Sequence, residues 1–183
     1  MTYEIAINKA WDEIIKLNPQ GDFAVKFLAD EYSIDLEARK VFSLSCNVPV
    51  KDFSAILILH YFAQKLIGLP ALSGEWLTFR EFSGIEGYFD AFRKRSLEPI
   101  IRKYGKNPEG LSAALSRLPA RRAEGGDFGI IIDAFEGVPV LIKLWKSDEE
   151  FGPDANMYFD RSITHIFCIE DIVVLAGIVA SSL

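Results

Sequence analysis

Cysteine is nearly absent. Cys46 and Cys168 are the only two, too few for a disulfide framework or a self-contained four-thiolate zinc or iron–sulfur site. A reducing cytoplasm fits that usage. Histidine is limited to His60 and His165, far apart in sequence, so only folding can join them. The nucleotide-binding patterns G-x-x-x-x-G-K-[ST] and G-x-G-x-x-G are missing, as are G-x-S-x-G, H-E-x-x-H and paired C-x-x-C. Met1-Thr2-Tyr3-Glu4 lacks the basic start of a secretory signal. The longest late apolar run, Ile172 to Ala180, is short of the roughly 20 residues that span a bilayer. No basic tail offsets a net charge of −6, so generic nucleic-acid binding has the wrong electrostatic sign.

What is present is a core. Of 183 residues, 50% are hydrophobic and 13% aromatic, enough to fold one α+β domain over 1–183. The mean hydropathy is positive despite the charge, which points to a thick core, an apolar cavity or an interface with a second copy of the chain.

Ile5 to Leu17 shows a helical stripe ended by Asn18-Pro19-Gln20-Gly21, and Asp22 is expected to cap a short second helix through Leu28. Tyr32-Ile34-Leu36 and Phe42-Leu44 alternate with polar residues, as in a hairpin with one wet face. Asp52 is expected to cap an apolar helix to about Ile67, closed by Gly68 and Pro70. Trp76 to Phe82 reads as a strand. Tyr88 to Tyr104 reads as a helix that Pro99 should kink or split near Glu98. Asn107-Pro108-Glu109 starts another helix, to Leu118. Pro119 to Asp127 reads as a mobile basic loop. Phe128–Phe135 and Val138–Trp145 flank Glu136-Gly137 as a central hairpin. A strand at Asn156–Phe159 and an enclosed helix from Ile169 complete the chain. The expected fold is α+β, with a mostly antiparallel sheet of about five or six strands and helices packed on it.

Several polar groups stand out. His60 shares a helical face with Tyr61 and Gln64 and is a candidate acid, base or ligand, although a hydrogen-bonded core histidine is the commoner outcome. His165 lies near Asp160 in sequence. Glu75 and Trp76 open a strand, with Arg80 further along it and Arg93-Lys94-Arg95 one helix later. Together they supply guanidinium forks and a stacking face for an anion or amphipathic cofactor. Trp145, Asp148, Asp154, Asn156 and Asp160 border an acidic loop whose spacing does not match a calcium loop, so no metal site is expected. Cys168 is expected to be a buried, inert thiol.

Leu59-His60-Tyr61, Leu72-Ser73-Gly74-Glu75-Trp76, Phe92 to Ser96, Leu144 to Phe151 and Asn156 to His165 resemble an uncharacterised domain-of-unknown-function family of anaerobic bacteria and archaea. The resemblance covers most of the chain from Phe53 onward. It implies a cytoplasmic prokaryotic protein with relatives joined to a cysteine-rich iron–sulfur segment that this chain lacks, and it carries no catalytic assignment or cofactor.

The preferred reading is a binding or accessory module for a small ligand or protein partner. Its pocket is expected among His60, Glu75, Trp76, Arg80, Arg93, Arg95, Trp145, Asp148, Asn156, Asp160 and His165, polar blocks that folding should bring to one place. One rival is a small hydrolase or transferase using His60 or His165 with a nearby carboxylate. The other is a structural interaction domain.

Overall fold

A computed structural model describes residues 2–183. The chain begins with α1 (Thr2–Lys16), which buries Trp11 and Ile14 against α2 (Asp52–Ile67). Between them, β1 (Phe23–Phe27), β2 (Asp30–Asp35), β3 (Lys40–Ser43) and β4 (Val48–Pro49) form a four-stranded sheet in sequence order. A second sheet has the order β5-β9-β8-β7-β6. Its strands are β5 (Trp76–Thr78), β6 (Ala120–Ala123), β7 (Phe128–Phe135), β8 (Val138–Trp145) and β9 (Asp154–Asp160). Every pairing in both sheets is antiparallel. The α+β class with an antiparallel sheet is therefore the observed one, and its larger sheet has five strands.

The β7–β8 hairpin lies where the apolar runs place it, turning at Gly137 with φ 73°. Both faces of β8 are covered, so its near-continuous apolar run needs no polar alternation. Phe27, Phe135 and Tyr61 form a three-ring stack that ties the small sheet, the hairpin and α2 together, with both centroid separations 4.3 Å. A backbone bond from Leu28 N–H to Ala134 O, 2.8 Å, reinforces that junction. The terminal helix α6 (Ile169–Ser182) buries Ile172, Leu175 and Val179 completely, as its apolar circumference requires.

Pro99 leaves its mark as a π turn. The helix from α3 (Phe89–Phe92) passes through the π-helical turn Arg93–Leu97 into α4 (Glu98–Tyr104), and Glu98 N–H reaches back five residues to Arg93 O. Proline brings no N–H and crowds the carbonyl four residues earlier, and the wider turn relieves both problems. Buried Ser96 donates its hydroxyl to Phe92 O, 2.5 Å.

Several local expectations need correction. Phe23 to Phe27 is a strand, because Phe23, Val25 and Phe27 alternate inward, a period of two that the capping residue Asp22 obscures. In the β2–β3 hairpin Val41 and Ser43 face inward while Leu44 is 53% exposed. The Asp30 carboxylate accepts the Ser43 hydroxyl at 2.6 Å and so holds a polar residue in that register. The segment after Pro119, expected as a mobile loop, contains β6, an edge strand paired with β7 and pinned by an Arg121–Asp133 ion pair and by Arg122 over the Phe128 ring. The segment after Asn107 is a 3-10 turn (Pro108–Ala113) followed by the short α5 (Ala114–Arg117). The strand from Trp76 stops at Thr78. There Thr78 and Glu81 make a capping box that bends Phe79–Glu81 into a 3-10 turn.

Phe135 lies at the middle of the ring stack, so Phe135→Ala should cost about 3–5 kcal/mol. A urea midpoint that falls accordingly with an unchanged slope will show it.

Candidate functional site

Asp160, at the end of β9, is only 4% exposed. Its carboxylate accepts from the Ser73 N–H and hydroxyl at 2.9 Å each, from Gly74 N–H at 2.8 Å and from Ser162 N–H at 2.9 Å. Burial works to raise its pKa, yet the donors from Ser162 and Ser73 outweigh it and hold the carboxyl well below the usual carboxylate range. Trp76 pairs with Asp160 in the β5–β9 ladder and is half-buried. One residue further out, Arg161 grips the Glu75 carboxylate with two bonds of 2.5 and 2.6 Å, which holds that carboxyl below its ordinary value. Asp160, Glu75 and Trp76 thus meet as a structural clasp between the Ser73–Glu75 segment and β9.

Arg80, Arg93 and Asn156 come together elsewhere, around a cleft of about 310 Å³. β9 supplies Asp154, Ala155 and Asn156 on one side; the π turn and α4 supply Arg93, Leu97 and Ile101 on the other. Phe79 and Phe92, stacked at 4.2 Å, close the base. Arg80 lies over the Phe89 ring at 4.0 Å, which orients its guanidinium, and Arg93 is 3.5 Å from Glu98. The arrangement offers two exposed guanidiniums, an amide and a single carboxylate, Asp154, over an aromatic base. The lining holds no imidazole or thiol, and its one hydroxyl, that of Thr78, donates to Glu81 at 2.8 Å within the capping box.

Trp145 and Asp148 line a second cleft of about 450 Å³, which shares Asp154 with the first. Asp148 is occupied in a turn, accepting from Glu150 and Phe151 N–H, and these bonds lower its pKa. Arg95 borders an apolar groove along α6 with Phe53, Val173 and Ile178. His165 is exposed at the end of the 3-10 turn Arg161–His165. His60 joins α2 to α6 through a 2.9 Å contact of Nδ1 with Asp171 Oδ2. The candidate residues therefore divide among a clasp, two adjoining clefts, a groove and a half-buried pair, with His165 apart on the surface.

Cys168 is exposed rather than buried, at the N-cap of α6, and its thiol donates to Asp171 at 3.2 Å. Local desolvation and the Asp171 charge push the thiol pKa up, away from a reactive thiolate. His60 and Cys168 thus share one carboxylate oxygen. Among the described residues no histidine is hydrogen-bonded to a hydroxyl or thiol, and no group of three or more His, Cys, Asp or Glu is placed to hold a metal ion.

Sequence reasoning missed Arg161, Asp171 and Glu81 as partners. The spacing Thr78-x-x-Glu81 is a readable capping-box signal, whereas the partners of Arg161 and Asp171 lie 86 and 111 residues away.

Two titrations test these pairs. The depressed Asp160 carboxyl contributes stability that is full above its unfolded value near 3.8 and is lost as pH falls below it. Asp160→Asn should cost on the order of 2 kcal/mol at pH 7, and urea unfolding should show that gap narrowing below about pH 4. His60 is shifted the other way, chiefly by the Asp171 hydrogen bond, with Glu13 of α1 adding and Lys9 opposing. Its stabilisation is present below 6.5 and fades as pH rises through the folded value. Imidazole NMR should give a midpoint above 6.5 that drops in Asp171→Asn.

A family model described as a domain of unknown function, DUF3786, matches residues 14–182, reaching back beyond Phe53 to include the small sheet and the end of α1. No curated protein and no solved structure matches the chain. No helix among the described residues is long and apolar enough to cross a membrane. With nearly its whole length matched, the chain belongs to the DUF3786 family of unknown function.

Proposed function

We propose that this chain is a binding module for a small anionic ligand with an apolar body, taken up in the cleft between β9 and the π turn. The observation that carries the reading is the convergence of Arg80, Arg93 and Asn156 over the stacked Phe79 and Phe92. Paired guanidiniums match carboxylate or phosphate oxygens, and an aromatic base accepts the apolar part. The π turn supports the same reading, because such turns are frequent at functional sites. A volume near 310 Å³ suits a small ligand. In this reading the protein acts in the cytoplasm, the chain 1–183 is a single domain, and the ligand rather than a metal is the partner.

The test is an NMR titration of the full chain with 3-phenylpropionate and with phenyl phosphate. Saturable shifts should be confined to Thr78–Arg80, Phe89–Leu97 and Asp154–Asn156. They should weaken at least about tenfold in Arg80→Gln and in Arg93→Gln, as expected for loss of a charged hydrogen bond, with melting temperatures unchanged. Absence of saturable shifts for both compounds at millimolar concentration, or shifts mapping to another face, overturns the reading.

A further inference from the structure

The second cleft, about 450 Å³, has an aromatic lining of its own. Trp145, at the end of β8, is half-buried; Phe151, on the loop that follows, is 70% exposed and lines the same space. Carboxylates stand on both sides of Trp145. On the β9 side Asp154 is its register partner, so the two Cα atoms are about 5 Å apart and the side chains share one face of the sheet. On the β7 side Asp127 N–H bonds to Leu144 O at 2.9 Å, and Asp127 Oδ2 accepts from Lys146 N–H at 2.9 Å. These two bonds bracket Trp145 and pin Asp127 beside it. Neighbouring strands are about 4.8 Å apart, so the backbones that carry the two carboxylates are about 10 Å apart with the tryptophan between them.

The charge of the lining selects a cation. Asp154 is exposed, Asp127 spends only Oδ2 on Lys146 N–H, and the third acid, Asp148, spends only Oδ1 on its turn. Lys146, the one cation in the lining, holds its Nζ 4.0 Å from Asp127 Oδ1, beyond hydrogen-bond reach. Lys143, on the same sheet face as Trp145, is drawn to the Tyr158 ring at 5.2 Å. A metal ion does not match this arrangement, because among the described residues no three acids stand close enough together to hold one. Separated carboxylates on either side of an aromatic surface match an organic cation with two positive centres joined by hydrocarbon. An ammonium sits about 2.8 Å from a carboxylate oxygen, so the backbone separation leaves about 4–5 Å between the two nitrogens, the span of about three or four methylenes.

We infer that the second cleft binds a linear aliphatic diamine, or the diamine unit of a longer polyamine, with its ammoniums at Asp127 and Asp154 and its methylenes against Trp145. Phe151 and Asp148 border it from the loop. This site is separate from the anion cleft and does not depend on it, although Asp154 lines both.

The experiment titrates the full chain with butane-1,4-diamine, spermidine, butylamine and calcium, followed by amide and indole NMR. Butane-1,4-diamine should give saturable shifts confined to Asp127, Trp145–Gly152 and Asp154, and spermidine should bind at least as tightly. Butylamine should bind about tenfold more weakly or worse, the loss of one charged contact. Asp127→Asn, whose amide oxygen still accepts from Lys146 N–H, should remove the diamine's advantage over butylamine. Lys146→Gln should tighten the diamine severalfold by removing a competing charge, and Arg80→Gln should leave it unchanged. The comparison of diamine with monoamine on the unaltered protein decides the matter even if a variant folds poorly. Equal binding of butylamine and the diamine overturns the two-ended site. Tighter saturation of the same amides by calcium overturns it in favour of a metal, and tighter binding of N-acetyl-Lys-Lys amide than of spermidine overturns it in favour of a basic peptide. Loss of diamine binding in Arg80→Gln, or no saturable shifts at millimolar diamine, also overturns it; none of these results bears on the anion reading, which 3-phenylpropionate and phenyl phosphate test in the other cleft.

Discussion

The buried Asp160 carboxylate sets the position of the edge strand β5 on the larger sheet. It has no cation in direct contact and is held by neutral donors from Ser73, Gly74 and Ser162. A charge this enclosed is tolerated only when its oxygens are fully engaged, so the Ser73–Gly74 segment has one place to sit. That placement puts Trp76 opposite Asp160 and Glu75 beside Arg161, and so fixes the register of a strand only three residues long. Without the carboxylate, β5 has too few ladder bonds to define its own position.

Two departures from regular structure then create the cleft. The Thr78–Glu81 capping box draws the chain out of the sheet after Thr78, so β5 pairs with only Tyr158–Asp160 of β9. Across the gap, Pro99 imposes the π turn that presents Arg93 and Leu97. The Phe79–Phe92 stack joins the two and closes the space beneath. Each departure has a local cause, and each would be a minor irregularity without the other.

Features whose cause lies within a few residues were legible in the sequence. The β7–β8 hairpin, α2 closed by Gly68 at φ 124°, the terminal helix and the disturbance at Pro99 all belong here. Phe23 to Phe27 misled because a capping residue stands before a segment too short to separate the two periods. β6 misled because its basic residues resemble a loop until Asp133 and Phe128 appear opposite them. For the candidate site, residue types were readable but partnerships were not. Ser73 and Asp160 are 87 residues apart, and nothing in either neighbourhood signals the other. The eleven polar candidates looked like one set because their role in holding the fold cannot be told from a role in binding until the contacts are seen.

The π turn also governs how this stretch tolerates changes in length. An α-helix advances about 100° per residue, so one residue inserted or removed rotates all that follows by about that angle. Between Phe92 and Pro99 that rotation is already spent on aligning two surfaces: Arg93 and Leu97 toward the cleft, and Ile100 and Tyr104 toward the core. A one-residue deletion here would swing one of those pairs into the wrong environment. The exposed stretch 147–150, which carries no helix or strand, is under no such angular constraint. Length variation among chains of this fold is thus expected to collect beside the second cleft and to spare the helix that frames the first.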